Sequence, residues 1–460
     1  MLIRLSRPLA IIATLVLACA CRPATTDLER LYSMQSATEK QPPLILVHGI
    51  FGAKLENVDT GEEVWPAAFR TEEPPPPHVL AINIDPGRIR AAYSRLRATG
   101  LAPGAAGIAL DGRILEVLEQ AGQYVRSEAG EPPPSSGTPY YVFTYDWRQD
   151  NLQAVRELDS FIRQVQEDHG DPDLKVDFVA HGMGGLVVRY YMRYGTVDVL
   201  DDNDFPVSNY GAAHVRRVVL LAVPNLGTVE ALKAALTGFP IGEGEIPVEI
   251  MATIPSIYQL FPHPISSPIL SVEGAELKED IFDIEVWRRL QWSIFDPGIR
   301  ERVIKRFSTP EAGERYLRLL EEYMHKYLER ARRFVWSLTV RADEPPGRYV
   351  LFGGACELTP AKIVMEESDG TKVVRWHPRQ IDRPTPGVDY ERLMLQPGDG
   401  DITKASLLAR HVLDPSVPRH KYSYFPLGFA IFLCARHDTI TANTDFQNNL
   451  LHTLLTADSL

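Results

Sequence analysis

Two residues late in the chain could hold and pass on a proton. Asp399 sits in a tight acidic loop, Gly398-Asp399-Gly400-Asp401-Ile402, and His437 follows the apolar run that begins at Gly428. A carboxylate followed by an imidazole, each after a predicted strand, is the acid–base half of a nucleophilic triad. The acid fixes the tautomer of the base, and the base takes a proton from a nucleophile. Asp401 is a second candidate for the acid. Alone, Asp399 reads as a turn aspartate and His437 as a neighbour of a helix cap; their order and placement point to chemistry. The nucleophile belongs earlier, on a sharp turn between a strand and a helix. Val176 to Tyr191, VDFVAHGMGGLVVRYY, has that form, with a buried strand over 176–179, a helix beginning by Leu186 and small residues at Ala180 and Gly184 around the turn. The centre of the turn is Gly182. Acid, base and turn are present, and the reacting side chain is not. Neither His181 nor Met183 is expected to replace it, since both should point away from the reacting centre, and Thr228 lies on another loop.

The elements that must position these residues follow in order. Leu44 to Val47 is a continuous apolar run, expected as a buried parallel strand, and His48-Gly49-Ile50-Phe51-Gly52 follows it. A glycine-rich loop in that place can present a backbone N–H to a developing oxyanion. Residues 53–139 are of mixed pattern with proline clusters and read as a cap insertion containing one helix marked by Ile114, Leu115, Leu118 and Tyr124. Thr138 to Asp150 gives a strand and the tetrapeptide Tyr145-Asp146-Trp147-Arg148. An amphipathic helix with Leu152, Val155, Leu158, Ile162 and Val165 on one face comes next, capped by Asp150 or Asn151 and ended by Gly170. His214 to Thr228 supplies another strand and a Pro/Gly loop. Residues 229–345 interrupt the alternation as a helical lid: an apolar aromatic segment over 254–262, then long helical patterns over 281–307 and 310–338. Its aromatics suit both a helix core and a face that touches acyl chains. Strands return at Arg348–Gly354 and Gly428, and a helix from Thr444 to Leu455 closes the chain. Alternating strands and helices specify an α/β fold, a mostly parallel sheet covered on both faces, with 41–228 and 346–460 as its core.

The chain has 460 residues, 45% of them hydrophobic, enough for one large core with insertions. A net charge of −12 argues against nucleic acid as a partner. Residues 1–21 read as a signal peptide, with Arg4 and Arg7 before an apolar stretch too short to span a bilayer. It ends in Val16-Leu17-Ala18-Cys19-Ala20-Cys21, where either Cys19 or Cys21 could carry a lipid anchor at a bacterial envelope membrane. Residues 22–40 then form a polar tether. An ordinary cleaved signal peptide is the alternative. Cys356 and Cys434 each follow a predicted strand, and either a disulfide or two buried thiols fits.

Taken together, LILVHGIFGAKLE, YDWRQDN, VAHGMGG, LAVPNLGT, LFGG, GDGDI and RHDTI resemble the lecithin:cholesterol acyltransferase and lysosomal phospholipase family in a bacterial lipoprotein form. The resemblance implies an α/β-hydrolase core with cap and lid. It implies action on lipid acyl esters, the acyl group passing to water or an alcohol, with no cofactor and no metal. It places oxyanion donors at the amides of Ile50 and Met183, the acid at Asp399, the base at His437 and the serine at the position of Gly182. The acid loop reads DGDI where the family has DGTV. Two readings follow: a lipid- or partner-binding protein impaired in catalysis, or a working acylhydrolase or acyltransferase that transfers an acyl group from a phospholipid or other ester, by direct attack of water or with a serine in place of Gly182.

Overall fold

A computed structural model describes residues 26–33, 41–66, 77–91, 94–102, 112–241, 244–343, 348–368, 370–410 and 426–456. Cys19 and Cys21 lie outside them. The centre is a seven-stranded sheet of β1 (Leu44–Val47), β2 (Tyr124–Arg126), β3 (Thr138–Phe143), β4 (Val176–His181), β5 (Val215–Leu221), β6 (Tyr349–Gly354) and β7 (Leu427–Leu433). Their order is β7-β6-β5-β4-β1-β3-β2, and every pairing is parallel.

Every side chain of β1 and β4 is buried. The period of two sends them to opposite faces. Leu44, Leu46, Val179 and Val219 pack with Phe446, Leu450 and Leu454 of a closing helix, α5 (Thr444–Leu455). Ile45, Val47, Phe178 and Val218 pack on the other face with Val155, Leu158 and Ile162 of α1 (Asn151–Asp168) and Val187 of α2 (Met183–Tyr194). Burial of one such side chain contributes roughly 1.5–3 kcal/mol, so both faces need their helices. α1 forms because its apolar positions share one face and the Asp150 carboxylate accepts from the Leu152 N–H at 3.0 Å. The one buried carboxylate of β4, Asp177, is matched by the Arg216 guanidinium.

Two predicted helices are shorter than their apolar pattern. The helix marked by Ile114 and Leu118 spans Gly112–Gln120, and Tyr124, expected on it, instead opens β2 at the sheet edge. Gln123, at φ 56°, makes the turn between them. The 281–307 pattern breaks into Ile284–Arg289, a 3-10 turn at Ser293–Phe295 and Pro297–Ile304. Gln291 and Ser293 both take φ 54°, and Pro297 starts the last piece with Asp296 as its cap. A proline favours the first helical turn and an extended residue before it. Between α3 (Val229–Thr237) and α4 (Pro310–Ser337), residues 255–258 form a short buried helix. Ile269–Ser271 leaves the helical segment to join a small sheet with Ile363–Ser368 and Thr371–Arg375.

Candidate active site

Parallel strands bring their carboxyl ends to one edge of the sheet, where sites of α/β proteins form. β1 runs into His48, β4 into Gly182, and β7 into the loop with His437. Asp399 arrives from β6 through an antiparallel pair, Glu357–Pro360 with Leu395–Gly398. A disulfide joins Cys356, just past β6, to Cys434, just past β7, with Cα atoms 5.0 Å apart. The bridge ties the two loops together close to His437.

Gly182 stands between β4 and α2 at φ 51°, ψ −123°, a conformation that costs most residues strain. The turn is tight because α2 packs against β1: a Cβ at Gly184 would lie 2.3 Å from the His48 carbonyl oxygen. At Gly182 there is room, since a Cβ there would have only the Gly49 Cα nearby, at 3.8 Å. The position therefore has space for a side chain but an unfavourable backbone.

Asp399 and His437 meet as the sequence order suggested. His437 Nδ1 lies 3.1 Å from Asp399 Oδ2. The other carboxylate oxygen accepts the N–H groups of Asp401 at 3.0 Å and Ile402 at 2.7 Å. Burial opposes charge on the imidazole, but Asp399, its hydrogen bond and the nearby Asp401 and Asp438 overcome this and raise the pKa of His437 to about 9. Asp401 does not reach the ring. Its carbonyl accepts the Thr228 hydroxyl at 2.7 Å, and although the residue reaches solvent, the loops around its carboxyl partly desolvate it and raise its pKa. Of the two candidate acids, Asp399 is the one that orients His437.

The loop after β1 is fixed from below. Tyr145 N–H donates to His48 Nε2 at 3.2 Å, so Nδ1 carries the proton and donates to the Gly49 carbonyl at 2.7 Å. Burial outweighs these backbone bonds and lowers the His48 pKa to about 4. The Tyr145 ring stacks on the imidazole with centroids 4.2 Å apart. The indoles of Trp65 and Trp147 donate to the carbonyls of Phe51 and Ala53 at 3.0 and 3.2 Å. Phe239, just past Val229–Thr237, stacks on Phe51 with ring centroids 4.4 Å apart. The amides of Ile50 and Met183 take no acceptor among the described residues. Met183 is the first residue of α2, where such N–H groups are unpaired by construction.

His181 corrects the sequence reading. Expected to point away, its ring instead packs on that of His437, centroids 4.9 Å apart, and against Gly49. It is 4% exposed and neither ring nitrogen has a partner. Burial, then the positive charge of His437, hold its pKa well below the ordinary value. No spacing in the sequence signals this contact, because it depends on how the strand ends stagger. His48 and Tyr145 were likewise missed as a pair, although both stand in motifs that the sequence singles out. Among the described residues no cluster of potential metal ligands forms.

The comparisons with known proteins bear on this geometry. A family model for lecithin:cholesterol acyltransferase matches residues 140–408, more than half of the chain and including Gly182 and Asp399. The chain belongs to the lecithin:cholesterol acyltransferase family. Its core is an α/β-hydrolase fold. Among solved structures, the Tle4–Tli4 complex contains a chain similar at 14% identity and a TM-score of 0.57, with 90% of this chain and 98% of that one covered. EstA from Clostridium botulinum is similar at 12% identity, TM-score 0.37, over 92% of this chain and 89% of its own. Lipase 1 from Pelosinus fermentans is similar at 14% identity, TM-score 0.34, over 91% and 100%. No curated protein is a significant match.

Proposed function

We propose that this member of the family binds acyl lipids and has lost the acyl-serine step. The observation that carries the reading is Gly182: the turn residue where the family has its serine offers no oxygen, although the Asp399–His437 pair is assembled beside it. In a serine hydrolase triad, loss of the nucleophile costs about a million-fold in turnover. A water held by His437 could still attack an ester, but without covalent positioning that route is slow. The proposed roles are Asp399 as orienting acid, His437 as base, and the amides of Ile50 and Met183 as donors to a carbonyl oxygen.

The proposed setting is a bacterial envelope membrane, with the chain anchored through Cys19 or Cys21. Support for it comes from the Arg-flanked apolar segment that ends at those cysteines. Among the described residues no helix is long and apolar enough to cross a membrane. The test of the functional reading is ester hydrolysis by the Gly182→Ser variant, which should exceed the unaltered protein if only an oxygen is missing.

A further inference from the structure

Four groups able to donate an N–H lie on residues next to Gly182 or packed against its neighbours. The Met183 amide begins α2, and the Ile50 amide follows Gly49 in the facing loop; neither has a protein acceptor among the described residues. His437 Nε2, on the ring edge opposite the Asp399 contact, donates when the ring is protonated. His181 adds a buried ring whose two nitrogens are both unpartnered. A buried polar group left unpaired costs about 1–3 kcal/mol, which favours a ligand that pairs it.

The number of donors decides between ligands. An ester carbonyl uses the two amides and leaves both imidazoles unmatched. A serine hydroxyl would occupy His437 Nε2, but Gly182 supplies none. A carboxylate has two oxygens with about four acceptor positions. We infer that the site of this protein takes the carboxylate of a long-chain fatty acid in preference to an acyl ester, with one oxygen on the amides of Ile50 and Met183 and the other between His181 and His437. The inference rests on the reading of this site as one for acyl lipids.

The charges nearby limit how the anion lies. Asp399, Asp401 and Asp438 stand on the loops around His437, and Arg436 lies 3.5 Å from Asp438. A carboxylate on the Asp399 side would meet like charge. On the opposite ring edge it meets the unpaired amide at the α2 N-terminus, where the helix dipole favours an anion. Ile50 and the stacked Phe51 and Phe239 supply apolar surface beside the Ile50 amide against which the tail would pack. A cavity of about 280 Å³ that includes Asp401 and Thr228 in its lining does not reach Gly182 or His437, so it is not assigned to the acid.

The test is calorimetric binding of oleate, methyl oleate and acetate to the full chain. Oleate and methyl oleate share the tail and differ in charge, so their ratio needs no variant. Oleate is expected to bind at least about tenfold more tightly than methyl oleate, the scale of one hydrogen bond to a charged group. Acetate should bind far more weakly than oleate. The variant His181→Leu should weaken oleate severalfold and narrow its lead over methyl oleate, whereas His181→Gln, which keeps an N–H donor, should retain more of that lead. Equal binding of oleate and methyl oleate would overturn the carboxylate preference and leave the acyl-lipid reading standing. Binding of neither would overturn both. Acetate as tight as oleate would place the anion elsewhere and overturn the proposal.

Discussion

His437 and Asp399 are joined twice. The ring Nδ1 lies 3.1 Å from the Asp399 carboxylate, and the His437 backbone N–H donates to the Asp399 carbonyl at 2.9 Å. The second bond fixes the loop, so the first does not depend on side-chain packing alone. Changing the carboxylate should therefore alter the ring's proton without moving its backbone. In Asp399→Asn the His437 pKa should fall from about 9 towards the ordinary histidine range, read by NMR titration of the ring. A value unchanged in the variant would show that Asp399 does not hold the proton.

The same pair makes stability depend on pH. The folded pKa of His437 lies above its ordinary value, so its contribution is complete below about pH 6.5 and is lost as pH rises through about 9. That contribution is at most on the order of 3 kcal/mol. His48, lowered to about 4 by burial, acts in the opposite direction: stability falls as pH drops from about 6.5 towards 4, because only the unfolded chain takes up the proton. His181, also lowered, adds to that acid limb. Thermal unfolding across this range should show a maximum near neutrality. His437→Gln should flatten the alkaline limb and, by removing the charge that helps to lower the His181 pKa, soften the acid limb slightly.

The disulfide should matter to both fold and site. Cys356–Cys434 closes a loop with a sequence separation of 78. Cross-links of this size typically stabilise by about 2–5 kcal/mol. A Cys356→Ser, Cys434→Ser double variant should unfold at lower denaturant by that amount. Broadening of the His437 ring signal in the same variant would show that the bridge positions the base. A sharp, unshifted signal would limit the bridge to a stabilising role.

Arg148 ties the chain around Leu80 and Ser94 to the segment that follows β3. Its guanidinium donates to the Leu80 carbonyl at 3.1 Å, to Ser94 Oγ at 2.7 Å and to Asp146 Oδ2 at 2.7 Å while almost fully buried. Removing one member of a buried pair leaves the other charge unmatched, at a cost of about 3–5 kcal/mol. Arg148→Met should lose that much in denaturant unfolding and should speed hydrogen exchange over residues 77–91 and 94–101. A loss under 1 kcal/mol, with unchanged exchange, would contradict this role.

The membrane anchor is tested directly by labelling with a radioactive fatty acid. The protein should carry the label, and the double change of Cys19 and Cys21 to serine should remove it. A water-soluble, unlabelled mature form lacking both cysteines would contradict the anchor.

The core strands were legible because burial on both faces leaves a plain trace: four consecutive apolar residues in β1, and a short run ending in small residues at β4. The placement of Asp399 and His437 at one edge of the sheet was legible because each residue follows its strand within a few positions. What the sequence hid depends on distance across the fold. Asp399 and Asp401 differ by two positions, and only the loop's curl turns one carboxylate onto His437 and leaves the other exposed. The pairing of Cys356 with Cys434 needed the strands β6 and β7 to be neighbours. The break near Gln291 and Ser293 was hidden because neither residue type favours positive φ.

Esterase activity of Gly182→Ser, measured with a short-chain chromogenic ester, tests the central claim most directly. The variant has space for the hydroxyl, and its backbone at φ 51° adds roughly 1–3 kcal/mol of strain, so folding is checked alongside. Hydrolysis should rise by about a thousandfold or more over the unaltered protein. It should increase with pH towards about 9, since only the neutral form of His437 accepts the serine proton. The further change His437→Ala should remove the gain. A folded Gly182→Ser protein that binds lipid but hydrolyses no faster than the unaltered chain would contradict the account.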